Sequence, residues 1–252
     1  MKQLLKGFLM ALSMFSLLPL PQIWDVKAFH WVGPSLPVVG LIIGLLWYGV
    51  GQALASLNVP LMLQAALVFL FPALISGFIH VDGYMDTADA IFSRAELSKK
   101  QAILTDPHIG AFAAMMLGVY LLVGFSAVYS ILDSSVRTVS FIFIPIVSRG
   151  LAGLVLLCAK PMKPTGFGAS FQKNTNLAHQ LVLVGMLALS VLIGWTVGGL
   201  AVIYAVIPLL IVGGAVGFYV IKQLGGVSGD LCGFVITVSE LFALLVLAMT
   251  GS

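Results

Sequence analysis

A chain of 252 residues with 60% hydrophobic and only 8% charged side chains cannot cover a water-facing surface, since soluble domains carry about a quarter charged residues. Composition makes it one integral membrane domain over 1–252, an all-α polytopic bundle, because lipid leaves an open backbone no other way to satisfy its polar groups. A net charge of only +3, with no basic stripe, excludes nucleic acid as a partner.

In chain order, MKQLLKGFLMALSMFSLLPLP comes first, with Lys2 and Lys6 ahead of an apolar run that Pro19 and Pro21 cut short. No small-x-small cleavage site follows, and the run is short for a span. It reads as an interfacial or re-entrant helix kept in the mature protein. Crossing a bilayer takes about 20 apolar residues. About seven transmembrane helices follow, at 36–57, 61–79, 109–131, 139–158, 180–197, 201–221 and 231–249. Polar segments at 80–108, 132–138, 159–179 and 222–230 separate them, with tight turns at 58–60 and 198–200. Gly40 with Gly44, and Gly213 with Gly217, form GxxxG pairs that predict close helix packing. Cys158 and Cys232 belong to no CxxC or Cys/His cluster and read as packing residues.

Alternating crossings put Lys27, Arg94, Lys99, Lys100, Lys160, Lys163, Lys173 and Lys222 on one side and only Arg137 on the other. The positive-inside rule makes the rich side cytoplasmic. The segments 80–108, 159–179 and 222–230 then converge on the cytoplasmic face, within reach of soluble metabolites.

Charge concentrates at HVDGYMDTADA, residues 80–90, where Asp82, Asp86 and Asp89 are three of the nine acidic residues. In a helix over 82–93 they stand at i, i+4 and i+7, within a sector of about 60°. A charge at membrane depth costs about 2.5–3.5 kcal/mol, so three together need compensation. A hard divalent cation supplies it: Mg²⁺ takes carboxylate oxygens and keeps waters or substrate phosphates as its other ligands. Gly83 allows a backbone or a phosphate close by, and His80 falls at the helix entrance rather than among the ligands. The plainer alternative, an acidic helix start that complements the dipole, accounts for Asp82 alone.

LGGVSGDLCGFVITVSE holds a second acidic pair. Asp230 opens the last helix, where an N-cap role is the alternative to a site role. Glu240 and Arg149 lie inside spans, and intramembrane ionisable residues are functional candidates. Arg149 is either the partner of Glu240 or a phosphate clamp. Gly225, Gly226 and Gly229 resemble a phosphate-accommodating turn. In KPMKPTGFGASFQKN, Lys160, Lys163 and Lys173 suit lipid headgroups or a substrate phosphate equally. Acids with Mg²⁺, glycine turns and nearby cations suggest phosphoryl transfer.

These residues carry a resemblance. HVDGYMDTADA is similar to H-L-D-G-L-A-D-T-A-D-G, the signature of the cobalamin synthase family, the adenosylcobinamide-GDP ribazoletransferases. His80, Asp82, Gly83, Asp86, Thr87 and Asp89 match, with Ala90 in place of the last glycine. TDPHIGAFA with Asp106 and Gly110, SRG with Arg149, GFG at 166–168, and GGVSGDLCG with Asp230 and Glu240 follow in the family's order. The resemblance covers nearly the whole chain. It implies a Mg²⁺-dependent transferase that joins adenosylcobinamide-GDP to α-ribazole or its 5′-phosphate and releases GMP. Asp82, Asp86 and Asp89 would hold Mg²⁺ on the pyrophosphate, and Asp89 or Asp106 would take the hydroxyl proton. Arg149 or Lys163 would stabilise the leaving GMP, with His80, Gly226, Asp230 and Glu240 as further substrate contacts. The expected location is a bacterial or archaeal cytoplasmic membrane, with the lipid bilayer, the two substrates, and copies of itself or other membrane enzymes of the cobalamin pathway as partners. Two alternatives stand beside this reading. A CDP-alcohol phosphotransferase also clusters aspartates around Mg²⁺, but its D-x-x-D-G-x-x-A-R pattern is not matched here. A cation transporter would line a pathway with acids, but no internal repeat is seen.

Overall fold

The structure, a computed structural model, describes residues 2–134 and 138–251; Arg137, the cation expected on the sparsely charged side, lies outside them. Among these residues the chain forms α1 (Lys2–Phe15), a 3-10 helix (Val26–Trp31), α2 (Val32–Ser56), α3 (Leu61–Ile75) and α4 (Ile79–Phe92). Then come α5 (Leu97–Ile103), α6 (Ala111–Leu132), α7 (Ser140–Cys158), α8 (Phe167–Gln172), α9 (Leu177–Gly198), α10 (Leu200–Leu224) and α11 (Gly229–Met249), with no β-strand.

Among the described residues six helices are long and apolar enough to cross a membrane: α2 with the 3-10 turn before it, α6, α7, α9, α10 and α11. The protein is an integral membrane bundle. The expected straight span at 61–79 is corrected. α3 ends after 15 residues, about 22 Å at 1.5 Å per residue, which is short of a hydrocarbon core of about 30 Å. The chain then bends by 87° into α4, so a seventh crossing exists only if the bent pair counts as one broken span. α1, at 14 residues, is likewise too short to span; its buried Gly7, Met10, Ala11 and Leu12 face α2 and the 3-10 helix.

α7 is the most enclosed span, packed by α2, α9, α10 and α11. Gly40 lies against Pro145 and Gly44 against Ile142, so close that a Cβ at either would overlap a carbonyl of α7. The first GxxxG pair is therefore a helix contact, as expected. Leu122, Leu181, Ile211 and Phe218 are exposed on the outer helices, a surface suited to lipid and not to water.

The polar segments meet at one end. Lys100 Nζ donates to Gln223 Oε1 (2.6 Å) and Gln101 Nε2 to Leu224 O (2.8 Å), tying α5 to the end of α10. Met162 N–H donates to Val227 O (3.0 Å) and Val227 N–H to Lys160 O (2.8 Å), tying the 159–168 loop to the turn before α11.

Candidate active site

The acidic segment owes its place to a turn. After α3, Phe78 N–H donates to Ala73 O (2.8 Å) and Gly77 N–H to Leu74 O (3.0 Å), the bond pair of a Schellman cap, whose first residue beyond the helix is left-handed. Gly77 takes that conformation at φ 63° and Phe78 repeats it at φ 60°; a non-glycine residue there costs on the order of 1–3 kcal/mol. The two together swing the backbone into α4, whose first turn contains His80, at the helix entrance as spacing predicts.

α4 buries Val81, Gly83, Tyr84, Thr87, Ala88 and Ala90 and packs on α11 and α6. Tyr84 Oη donates to Met116 O (3.0 Å), and Thr237 Oγ1 donates to His80 O (3.1 Å). The crossing with α11 has no room for side chains. A Cβ on Gly83 would stand 2.7 Å from Asp230 Cα, and one on Gly233 2.9 Å from His80 O. The close approach expected at Gly83 is thus made by the backbone of α11.

This crossing adds a fourth acid to the three on α4. Asp86 lies within electrostatic reach of Asp82, Asp230 and Asp89, and Asp230 within reach of Asp82. The N-cap alternative for Asp230 is corrected: Ser228 Oγ caps α11, accepting from Leu231 N–H (3.2 Å), and Asp230 sits in the first turn. Among the described residues the ion pairs are Lys6–Asp25, His108–Asp106 and Arg149–Glu240, so no protein cation neutralises the four carboxylates. Nor do any three acid, imidazole or thiol groups among these residues stand close enough to form a ready-made chelate.

Asp89 and Asp106 part company. The Asp89 carboxylate lies against Gly110, the residue before α6, where any side chain would collide with it. Asp106 is exposed on the turn before α6, accepting from His108 N–H (3.0 Å) and paired with His108 Nδ1 (2.6 Å). These bonds to His108 hold the Asp106 carboxyl below the usual aspartate range, which makes it a weak base.

Arg149 and Glu240 are partners. Arg149 Nη1 reaches Glu240 Oε1 at 2.7 Å, and Ser148 Oγ donates to the same oxygen at 2.6 Å. Arg149 Nη2 donates to Ser76 Oγ at 3.3 Å, so α7, α11 and the α3–α4 turn are tied at one side chain. Arg149 is 1% exposed, and its Nε is buried without a hydrogen-bond partner.

Three cavities touch the acids. One of about 320 Å³ reaches Asp82 from the α3 and α6 side among Leu70, Phe78, Met85 and Tyr120, and the other two share Asp230. The larger of these two, about 330 Å³, lies between α1, α2, α4, α7 and α11, lined by Phe15, His80, Asp82, Arg149, Asp230, Cys232 and aliphatic side chains. The other, about 230 Å³, lies under the 159–168 loop and is lined by Gln101, Thr105, Lys163, Gly166, Gly168 and Ser228 among others. Gly229 and Asp230 line both. Gly226 lines neither; it is packed on the Met162 backbone, where a Cβ would come within 2.6 Å. Lys160 and Lys173 also stand outside both cavities.

The family profile described as Cobalamin-5-phosphate synthase matches residues 7–248. The chain belongs to the cobalamin-5-phosphate synthase family. A relative from Clostridium perfringens (strain SM101 / Type A), named adenosylcobinamide-GDP ribazoletransferase, is 34% identical over 250 residues, covering 99% of this chain and 100% of its own length. Proteins of the same name from Clostridium botulinum (strain Alaska E43 / Type E3) and Geobacillus kaustophilus (strain HTA426) are 35% and 30% identical, covering 97% and 95% of this chain and 97% and 94% of their own. No solved structure matches.

In this family member the sequence motifs meet at one place, but several residues that build the place carry no motif. Ser76 joins Ser148, the serine of the SRG motif, in completing the bonding of Arg149 and Glu240; Ser76 is a lone serine in an apolar run and offers no signal for that. Phe15 stacks on His80, with ring centroids 6.3 Å apart, across 65 residues of chain. The left-handed pair had a partial signal in Pro72 and the Ser76–Gly77 step, which interrupt an otherwise uniform apolar run.

Proposed function

We propose that the protein joins adenosylcobinamide-GDP to the ribose hydroxyl of α-ribazole or its 5′-phosphate, releases GMP, and uses Mg²⁺ bound at Asp82, Asp86 and Asp89. The observation that carries this reading is the convergence of four carboxylates from α4 and α11, none of them in an ion pair among the described residues. Such a set is costly unless a cation joins it; Mg²⁺ takes carboxylate oxygens and fills its remaining positions with water and substrate phosphate, and binding would have to draw the three carboxylates of α4 closer together, since no three stand at chelating distance among the described residues. Bound there, Mg²⁺ would offset the charge of the pyrophosphate as the phosphorus–oxygen bond to GMP breaks. The names of the relatives support the same reaction.

Within the site, Lys163 gives a flexible positive charge to the cavity beneath its loop, where it would meet the phosphates of the leaving nucleotide. Arg149 is engaged by Glu240 and Ser76 and would act chiefly by holding the turn that aims α4. Asp106 is a poor base, being exposed and held ionised by His108. The clustering of positive loops supports a cytoplasmic orientation for this end. The direct test is to incubate membranes containing the protein with adenosylcobinamide-GDP, α-ribazole and Mg²⁺. Cobalamin and GMP are expected in equal amounts, with loss of product on chelation by EDTA. A phospholipid formed from a CDP-activated precursor, with no GMP, would move the assignment to the CDP-alcohol phosphotransferases.

A further inference from the structure

The two cavities that share Asp230 differ in character and meet only at Gly229 and Asp230. The one under the 159–168 loop opens among Lys163, Thr105, Gln101 and Ser228, a lining suited to phosphate. The larger one is lined by the apolar Met14, Phe15, Leu36, Leu156 and Ile236 together with the polar His80, Asp82, Arg149 and Asp230. We propose, resting on the transferase reading above, that this larger cavity is the acceptor subsite and holds α-ribazole with its base against Phe15 and His80.

Size and polarity select that occupant. About 330 Å³ is near the lower end of small-molecule sites, which begin at roughly 300 Å³; it fits one nucleoside and is too small for a corrin ring. A guanine nucleotide would set its hydrogen-bonding edge against aliphatic carbon and its phosphates against Asp82 and Asp230. An acyl chain would set hydrocarbon against Asp82 and Asp230 and offer neither a partner. A flat, apolar, two-ring base attached to a hydroxyl-rich sugar matches both kinds of lining: the base meets the apolar side chains and the stacked Phe15–His80 pair, and the sugar hydroxyls donate to Asp82 and Asp230.

The arrangement also orders the reaction. An acceptor in this cavity reaches the acids past Asp82 and Asp230, whereas the nucleotide phosphate lies on the Lys163 side of Asp230. Entry and departure on different sides suit an in-line displacement. The ribose hydroxyl oxygen forms a bond to the phosphorus attached to the corrinoid, and the bond from that phosphorus to the bridging oxygen breaks. GMP leaves with the bridging oxygen, and the hydroxyl proton passes to the carboxylate cluster.

Two measurements test the assignment. Ala152, 1% exposed, lines the acceptor cavity, so A152M fills it. This variant should raise KM for α-ribazole tenfold or more and leave KM for adenosylcobinamide-GDP within twofold; K163A should do the reverse. Equal shifts of both constants in A152M, or a shift confined to the corrinoid, would overturn the subsite. The second measurement needs no variant. Cys232 lines the same cavity, while Cys158 is exposed at the end of α7 and outside it. Alkylation of both thiols by N-ethylmaleimide is followed by mass spectrometry in the wild-type protein. α-Ribazole should slow modification of Cys232 at least fivefold and leave Cys158 unchanged. An unchanged Cys232 rate, as for a cavity filled by lipid, or protection by adenosylcobinamide-GDP alone, overturns it. Absence of GMP from wild-type turnover would sink the transferase reading and the subsite with it; turnover without the KM split or the protection sinks the subsite alone.

Discussion

Glu240→Ala tests how the site is held. The carboxylate accepts from Arg149 at 2.7 Å and from Ser148 at 2.6 Å, and Arg149 is 1% exposed. Removing it leaves a buried guanidinium with only the longer bonds to Ser76 (3.3 Å) and Ser148 (3.4 Å). Stripping one partner from a buried ion pair costs about 3–5 kcal/mol. For a chain of this size about 2–4 °C of Tm follows each kcal/mol, so the variant should unfold about 6–20 °C earlier in detergent, followed by circular dichroism. Replacing both partners by apolar residues, as in Arg149→Met with Glu240→Leu, removes the stranded charge and should cost less than Glu240→Ala alone. A fall under about 2 °C for the single variant, or a double variant as damaging as the two single ones added together, would refute a buried pair that ties three elements.

Further outcomes follow from the same geometry. Asp82→Asn and Asp86→Asn should insert and fold yet lose about 10²–10³-fold of Mg²⁺-dependent turnover; full activity in folded protein would remove the metal assignment. Asp89→Asn should lose a comparable factor, while Asp106→Asn stays within about tenfold of the parent, measured as GMP release. Gly83→Ala puts a Cβ 2.7 Å from Asp230 Cα; overpacking there should cost about 1–3 kcal/mol, and a displacement near 1 Å should cost about 100-fold in rate, so activity falls further than Tm. Asp25, bonded by Lys6 and by the Lys27 N–H, is held below its ordinary 3.8. Because the folded value is the lower one, this contribution is present above about pH 4 and fades as pH falls through the depressed value. Hydrogen exchange in α1 should rise over that window, and Lys6→Gln should flatten the rise.

Much of the bundle was legible because a membrane allows so few solutions. Six of the seven apolar runs are spanning helices, with boundaries displaced by a few residues, since helix ends depend on caps such as Ser228 and Asn176 that hydropathy does not see. The run at 61–79 misled because hydropathy averages over direction: an apolar chain that turns through 87° scores like one that runs straight. The carboxylates of α4 could be placed on one face from their spacing alone. The fourth acid required knowing that Gly83 and Gly233 bring two helices together, and glycine spacing on separate helices carries no pairing information. Arg149 and Glu240 stood out as charges within spans, and their pairing was one of the two roles the sequence left open. The larger cavity was invisible, since Phe15, Leu36, Ala152 and Ile236 look like any other apolar residues until five helices enclose them.

The crossing of α4 and α11 also has a consequence in time. The bond from Thr237 to His80 spans 157 residues of chain, and a polypeptide is made N-terminus first. The three aspartates of α4 are therefore synthesised long before the helix that fits against Gly83 exists. Until then α4 has no neighbour to hold it at depth, and its charges, each worth about 2.5–3.5 kcal/mol there, favour the water side of the interface. α11 is thus the helix that draws the acids into place. A nascent chain stopped before α11 would carry the three aspartates of α4 without Asp230 and without the backbone that packs on Gly83, so the four-acid cluster cannot form before that helix is made.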